Sequence, residues 1–134
     1  MDVIMKAPDS EKLTLNLGFV DLGRIDLLVR DGFYSNRSDF IRTAIRNQLS
    51  SHSEIAAKAT TRLALELGLR TFTRRDLEAV VAAGEQLEIR VLGLAVIDND
   101  VSPELARTAI ASLTVLGALH ASPDIKAALA DRLT

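Results

Sequence analysis

Polar and apolar residues alternate one by one near the start of the chain, in the heptapeptide KLTLNLG. Alternation with a period of two is typical of a β-strand that buries one face and exposes the other. The pattern therefore predicts a strand with a leucine face and a polar face. The leucine face contains Leu13, Leu15 and Leu17, and the polar face contains Lys12, Thr14 and Asn16.

Two helical patterns follow this strand. The first has apolar residues at i, i+3, i+6 and i+7, with Asp21 as the expected N-cap and Gly32 as the expected end. The second begins within YSNRSDF, where Ser35 can cap the helix and Asp39 lies in the first turn. The apolar faces consist of Leu22, Ile25, Leu28 and Val29 in the first helix, and of Phe40, Ile41, Ala44, Ile45 and Leu49 in the second.

The strand and the two helices cannot complete a fold within one copy of the chain. A lone strand leaves its backbone unpaired, and two short helices cannot cover three leucines. A second copy solves both problems if the two strands pair antiparallel about a twofold axis and four helices cover their leucine face. The polar face of such a ribbon fits the major groove of DNA, where its side chains can reach base edges.

Residues 11–50 resemble the ribbon-helix-helix family of Arc-, MetJ- and CopG-type regulators, on the alternating KLTLNL, the turn DGFYSNRSDFIR and the helix FIRTAIRNQL. The resemblance implies an α+β module built as an intertwined dimer. It also implies that the strand contacts bases and that the start of the second helix holds a phosphate through backbone N–H groups. The implied base contacts are Lys12, Thr14 and Asn16, and the implied phosphate contacts are Ser35, Asn36, Arg37 and Ser38. This strand carries one basic residue where many relatives have more.

The predicted dimer core combines apolar residues of the strand and both helices: Leu13, Leu15, Leu17, Ile25, Leu28, Phe40, Ile41, Ala44 and Ile45. Arg42 and Arg46 lie four residues apart on the second helix, where they can contact phosphate or simply face solvent. The segment SNRS can likewise be no more than a helix cap. The sequence leaves these alternatives open.

A repeat follows the polar segment SSHSE, which predicts a boundary between residues 1–53 and residues 54–134. Gly68, Gly93 and Gly117 recur at intervals of 25 and 24 residues, each within an apolar strand that precedes a polar turn and a helix. SPEL and SPDI start two of these helices with a capping serine and a proline. The period predicts a small α/β domain, in the manner of a short solenoid, with LALELGL, LEIRVLGLAVI and SLTVLGAL as parallel strands. An ordinary three-stranded α/β sandwich is the alternative.

The predicted sheet has no evident cover at its two ends. No cap precedes its first strand, and the last unit ends at AALADRLT without a further strand. Since 48% of the chain is hydrophobic, we expect this domain to associate with other copies and to give a tetramer or a larger assembly. Alternatively, the domain folds back on its own N-terminal module, and the particle stops at two chains.

Composition argues against several other classes of protein. The chain has no cysteine and only two distant histidines, His52 and His120, so we expect no disulfide, no metal site and no cofactor. No catalytic motif, signal-peptide core or apolar stretch of about 18 residues is present in the sequence. The net charge of −2 means that any contact with DNA depends on where charges lie. We therefore expect a soluble, cytoplasmic protein that is not an enzyme.

These patterns together predict a sequence-specific DNA-binding transcriptional regulator, in particular a repressor, that forms a homodimer on double-stranded DNA. Two alternatives remain open. The chain can be an antitoxin whose C-terminal half binds a toxin as protein partner, although such tails are usually short and polar until bound. It can also be a structural, self-assembling protein that uses the N-terminal module only for dimerisation.

Overall fold

The computed structural model describes residues 10–134, which form two compact units. We call Lys12–Ala59 the helical unit, and we call Thr60–Thr134 the sheet unit, with which Ser10 and Glu11 group. The functional split of the chain at residue 53 stays a prediction.

The helical unit begins with residues that form neither helix nor strand in the single chain, up to Gly18. Three helices follow, and only His52 separates the second from the third, so that a nearly continuous helical segment passes through SSHSE. The helices are α1 (Phe19–Arg30), α2 (Arg37–Ser51) and α3 (Ser53–Arg62).

The sequence predicted the C-terminal end of α1 correctly, but not its N-cap. Gly18 occupies the N-cap position, so the prediction of Asp21 as N-cap was wrong, and Asp21 lies in the first turn instead. A carboxylate in the first turn is favoured by the positive end of the helix dipole. The predicted end at Gly32 is confirmed: its φ of +84° lets Phe33 N–H donate to the Leu28 carbonyl at 3.0 Å, in a Schellman turn.

The sheet unit contains three parallel strands in the order β1-β2-β3, which confirms the predicted parallel sheet. The first strand begins later than LALELGL suggested, because the turn that ends α3 uses residues up to Leu65, whose N–H donates to the Thr60 carbonyl at 3.0 Å. Ala64 has a positive φ of 53° in this turn. The strands are β1 (Glu66–Phe72), β2 (Leu87–Ile97) and β3 (Ile110–His120).

A helix follows each strand. The predicted caps of the second and third helices are confirmed, since the hydroxyls of Ser102 and Ser122 accept from N–H groups three residues later. Thr73 and Asp76 form a reciprocal capping box at the first. The helices are α4 (Arg74–Ala82), α5 (Pro103–Ala109) and α6 (Pro123–Ala128), followed by a 3-10 turn at Ala130–Arg132.

These helices bury one face of the sheet, and the residues of the other face are half-buried or exposed in the part of the chain that the structure describes. Alternate residues of β2, such as Val91 and Ala95, belong to the buried core, together with Leu77 of α4 and Leu113 of β3. The intervening residues point away from this core. We call this second surface the open face; its apolar residues are Leu67, Leu69, Leu92, Leu94, Val96, Leu116 and Ala118.

The repeated glycines lie side by side across the sheet. Gly68 pairs with Gly93, and Gly93 pairs with Gly117. All three have positive φ, between 120° and 140°. A Cβ atom on Gly93 would lie 2.3 Å from the Gly68 carbonyl oxygen, and one on Gly117 would lie 2.1 Å from that of Gly93. The recurrence in the sequence thus reflects a column in which close backbone approach requires glycine.

The two edges of the sheet differ. At β3, Leu133 forms a parallel bridge with Leu113, and Thr134 N–H donates to the Leu113 carbonyl at 3.0 Å. The Arg132 guanidinium donates to the Ile110 carbonyl at 2.6 Å. The prediction that AALADRLT leaves this edge uncovered was therefore wrong for the first half of β3. Among the described residues, no strand pairs with the outer edge of β1.

Candidate nucleic-acid interface

The segment that precedes α1 exposes both of its faces in the single chain. Lys12, Thr14 and Asn16 are exposed, as a DNA-reading face requires. The leucines between them are exposed as well: 85% of Leu13 and 63% of Leu15 remain accessible. Exposure of alternating leucines to water is unfavourable, so this segment requires a cover. The described part of one chain does not supply one.

The other residues of the predicted dimer core range from buried to exposed in one chain. Ile25 of α1 is buried, and Leu28, Phe40 and Ile41 are half-buried. The remaining members, Ala44 and Ile45 on α2, are exposed. Four further large apolar side chains of the helical unit are also exposed: Phe19, Leu27, Leu49 and Ile55.

The start of α2 is held by reciprocal hydrogen bonds. The Asn36 side-chain oxygen accepts from Asp39 N–H at 2.8 Å, and the Asp39 carboxylate accepts from Ser35 N–H at 2.9 Å. The N-cap is therefore Asn36, and the prediction of Ser35 as the cap was wrong. Backbone N–H groups in a first helical turn have no acceptor within the helix. Arg37 and Ser38 are two of the predicted phosphate contacts. Among the described residues, no acceptor is present for their backbone N–H groups.

Arg37 also ties α2 to α1. Its Nε donates to Asp26 Oδ1 at 2.7 Å, and its Nη2 donates to Asp26 Oδ2 at 2.8 Å, so the pair is bidentate. The hydrogen bond from Arg37 lowers the pKa of Asp26 below its ordinary value of 3.8; desolvation opposes this shift, and the positive charge of Arg37 adds to it. Because Nη1 takes no part in this pair, Arg37 can hold the turn and still offer donors outward.

The two remaining candidate arginines, Arg42 and Arg46, are exposed on α2, and neither forms an ion pair within residues 10–134. Two other groups in this region did not emerge from the sequence. Asp26 holds Arg37, and the Tyr34 ring contacts the Phe40 ring edge-on with centroids 5.0 Å apart. The Asp26 pair joins residues 11 positions apart across a turn, a separation that no helical spacing rule detects. Tyr34 is the only tyrosine of the chain, so no repeated spacing indicated its contact with another ring.

The described residues contain neither a cluster of metal-ligating side chains nor a helix that could span a membrane. No three or more His, Cys, Asp or Glu side chains come together there in a way that could hold a metal ion. No helix in the same residues is long and apolar enough to cross a membrane.

An exposed alternating segment followed by two helices, with a capped turn between them, is typical of regulators that read DNA with a two-stranded ribbon. The profile of the Ribbon-Helix-Helix transcriptional regulator family matches residues 8–126, and the chain belongs to this family. Membership implies DNA binding and dimerisation. The match extends over most of the sheet unit, whereas the resemblance in the sequence ended near residue 50. No curated protein and no solved structure is significantly similar to this chain.

Proposed function

We propose that this protein is a sequence-specific transcriptional repressor that reads the major groove with a ribbon formed by residues 12–17 of two chains. The observation that carries the proposal is the alternating segment itself: in a chain of this family, its leucines are exposed where a folded protein would bury them. Antiparallel pairing of two such segments covers the leucines and turns the polar residues outward together.

The dimer is favoured by the apolar area that it covers. Complete burial of one leucine side chain stabilises by about 1.5–3 kcal/mol. Each chain contributes three leucines from the segment, together with exposed residues of α2 such as Ile45. This gross gain is opposed by the conformational entropy lost when the segment becomes ordered, but it is large beside the net stability of a small domain, about 5–15 kcal/mol, so we expect folding and dimerisation of this module to be coupled.

The polar face offers chemistry suited to base edges. An asparagine can donate to and accept from adenine, a lysine can donate to guanine, and a threonine methyl group can pack on the thymine methyl. Asn16, Lys12 and Thr14 supply these three groups from each chain. Twofold symmetry doubles the set, so the preferred site is an inverted repeat with adenine and guanine in each half.

The start of α2 supplies the phosphate contact in this proposal. The N–H groups of Arg37 and Ser38 lie at the positive end of a helix of 15 residues. Asp26 and Asp39 bring negative charge to the same turn, but Arg37 compensates for the first, and a backbone N–H group donates to the second. Arg42 and Arg46 add positive charge further along the helix.

Substitution of Asn16 tests the proposal. We expect Asn16→Ala to weaken binding to the cognate site by about 1–3 kcal/mol and to leave random duplex almost unaffected, because a base contact carries the sequence information. Asn99→Ala is the matched control, since Asn99 is an exposed asparagine of the sheet unit. The cognate site is first selected from genomic fragments by the purified protein, and affinities are then measured by fluorescence anisotropy. Equal losses on both DNAs would move Asn16 into the phosphate-contact class.

The sheet unit serves self-association in this proposal, so that two dimers form a tetramer. An antitoxin is the second candidate, and the open apolar face of the sheet favours it because a toxin could cover that face. Purification from the native host separates the candidates. A stoichiometric partner that is encoded beside this chain, and that no longer co-purifies with Leu69→Asp or Leu116→Asp, would favour the antitoxin.

A further inference from the structure

We propose that two copies of the chain join through the outer edges of their β1 strands, antiparallel about a twofold axis that passes between the Gly68 residues of the two chains. The inference rests on the proposed self-association of the sheet unit and specifies its surface and register. The partner is a second copy of this chain, and the product is a continuous six-stranded sheet.

The two edges of the sheet are unequal, and this limits the contacts that a second copy can make. The outer edge of β3 is closed over its first half by Leu133 and Thr134. A head-to-tail array would need β3 of one copy to pair along β1 of the next, and the C-terminal residues obstruct that contact. The edge of β1 has no such cover among the described residues, so the available contact is β1 with β1, which closes about a twofold axis.

The side chains of β1 favour one register for this antiparallel pairing. Centring the antiparallel pair on Gly68 places Glu66 opposite Arg70 of the partner subunit and Leu67 opposite Leu69 of the partner subunit. Each pair occurs twice, so the edge is complementary to itself in both charge and apolar contact. Centring on Leu67 or Leu69 instead places each charged residue opposite an uncharged one. A slip of one residue would turn the leucines of one chain to the face of the sheet opposite to those of the other chain.

The backbone at Gly68 also favours this pairing. On Gly93 and Gly117, a Cβ atom would run into the carbonyl of the preceding strand in the sheet. Gly68 has the same type of conformation, with φ +120°, but nothing lies within 4 Å of the equivalent position. By the same geometry, this position faces outward from β1, so the edge has room for a further backbone to approach at the glycine column.

The apolar surface at this edge adds a driving force. Leu67 is 80% exposed and Leu69 is 62% exposed, although both lie in a strand. On one chain, they form the outermost row of the open face. Pairing places each leucine beside its counterpart on the partner subunit in the centre of the six-stranded sheet and removes part of this area from water.

Charge reversal in mixed chains tests the pairing. Glu66→Arg alone places two arginines opposite each other at the edge, and Arg70→Glu alone places two glutamates there. Each variant also removes the ion pair between Glu66 and Arg70 within one chain, so single variants do not separate the two effects. A mixture does, because each Glu66→Arg strand then meets an Arg70→Glu strand with both opposite-charge pairs restored.

We expect sedimentation velocity to show that the wild-type chain forms an assembly larger than a dimer, that each variant alone is a dimer, and that the mixture recovers the larger assembly. A mixture that remains dimeric, or single variants that assemble like the wild type, would overturn the edge contact. DNA binding is measured on the same samples, because the dimeric variants should retain it. Failure of folded wild-type protein to bind DNA would instead count against the proposed function.

Cysteine cross-linking locates the contact independently, since the natural chain contains no cysteine. Full-length Leu67→Cys chains are co-expressed with Leu69→Cys chains and oxidised mildly. Directly opposed residues in an antiparallel pair have Cβ atoms about 4.5–5.5 Å apart, close to disulfide geometry. We expect this mixture to give covalent pairs. Leu116→Cys, which is 47% exposed on the open face at β3, is the control and should give none. Cross-linking through Leu116→Cys alone would show that sheets stack face to face and would refute the edge proposal.

Discussion

The two units of this chain differ in how much of their structure one copy can complete. Among the described residues, Ile25 is the only buried apolar residue of the helical unit, and every other buried apolar residue belongs to the sheet unit. The sheet unit closes its core with its own helices, such as α4 through Leu77. The helical unit has well-formed helices and caps, but little for them to pack on. Secondary structure in that unit is local, whereas in the proposed dimer its stability depends on a second chain.

The largest expected effect on this comparison comes from placing the same negative charge in each unit. We expect Leu15→Asp to unfold the helical unit, because burying an unpaired carboxylate in a shared core costs several kcal/mol. Leu69→Asp is the control: Leu69 is exposed to the same degree in one chain (62%, against 63% for Leu15), and although this variant disturbs the proposed contact between β1 strands, the sheet unit should stay folded because it has its own core. Hydrogen exchange resolved by residue measures the outcome. A folded, monomeric Leu15→Asp protein would contradict the shared core.

The sheet unit should be most sensitive at its glycine column. We expect Gly93→Ala to destabilise this unit by more than about 3 kcal/mol, because a left-handed backbone costs about 1–3 kcal/mol and the new Cβ clashes with a carbonyl 2.3 Å away. Gly84→Ala shares the positive φ, but the new Cβ meets nothing within 4 Å, so it should cost only about 1–2 kcal/mol. Urea unfolding of both variants gives the difference. Equal destabilisation would show that conformation alone, without close approach, explains the column.

How much the sequence predicted also differs between the units. In the sheet unit, the spacing of Gly68, Gly93 and Gly117 predicted three parallel strands, because each strand and helix repeats with the same local signals. The late start of β1 and the cover on β3 were not predicted. Both depend on contacts that have no periodic signature: a turn after α3, and the bridge from Leu133 to Leu113.

In the helical unit, the sequence predicted both helices and the exposed face that includes Lys12 and Asn16. It did not predict that Asn36 rather than Ser35 caps α2, because both residue types are good caps and lie side by side. The ion pair of Asp26 with Arg37 joins two helices through a turn, so neither residue carries a local signal of the other. The ribbon itself stays a prediction, since the backbone partners that it requires would belong to another chain.

The part that Arg37 plays separates DNA contact from folding within the helical unit. If it contacts phosphate, we expect Arg37→Ala to weaken cognate and random duplex equally and to reduce the slope of log affinity against log salt by about 0.9 for each phosphate that the arginine neutralises. Asp26→Asn removes the ion pair but keeps the arginine, so it should leave that slope unchanged. Titrations at several salt concentrations decide the point. Weakening confined to the cognate site would instead assign Arg37 to base reading or to placement of the ribbon.

The smallest expected effect is on the stability of the two units at acidic pH, and it depends on one ion pair in each unit. Hydrogen bonds from Arg37 lower the pKa of Asp26 in the helical unit, and those from Arg107 lower the pKa of Asp131 in the sheet unit. Both carboxyls have an ordinary value of 3.8, so the unfolded chain takes up protons first as the pH falls through that value. Each pair therefore contributes stability that is fully present well above the ordinary pKa of the unfolded chain and is lost progressively as the pH falls through the lowered pKa of the folded state.

Both pairs are largely solvent-exposed, so we expect each contribution to be small and to weaken further with added salt. Asp26→Asn should flatten the acid limb of unfolding only for the helical unit, and Asp131→Asn only for the sheet unit. Hydrogen exchange between pH 3 and pH 6, corrected for intrinsic rates, reports on the two units separately in the same sample. If Asp26→Asn changed the acid response of both units equally, unfolding would be a single cooperative event, and the division of the chain into a unit that folds alone and a unit that needs a partner would fail.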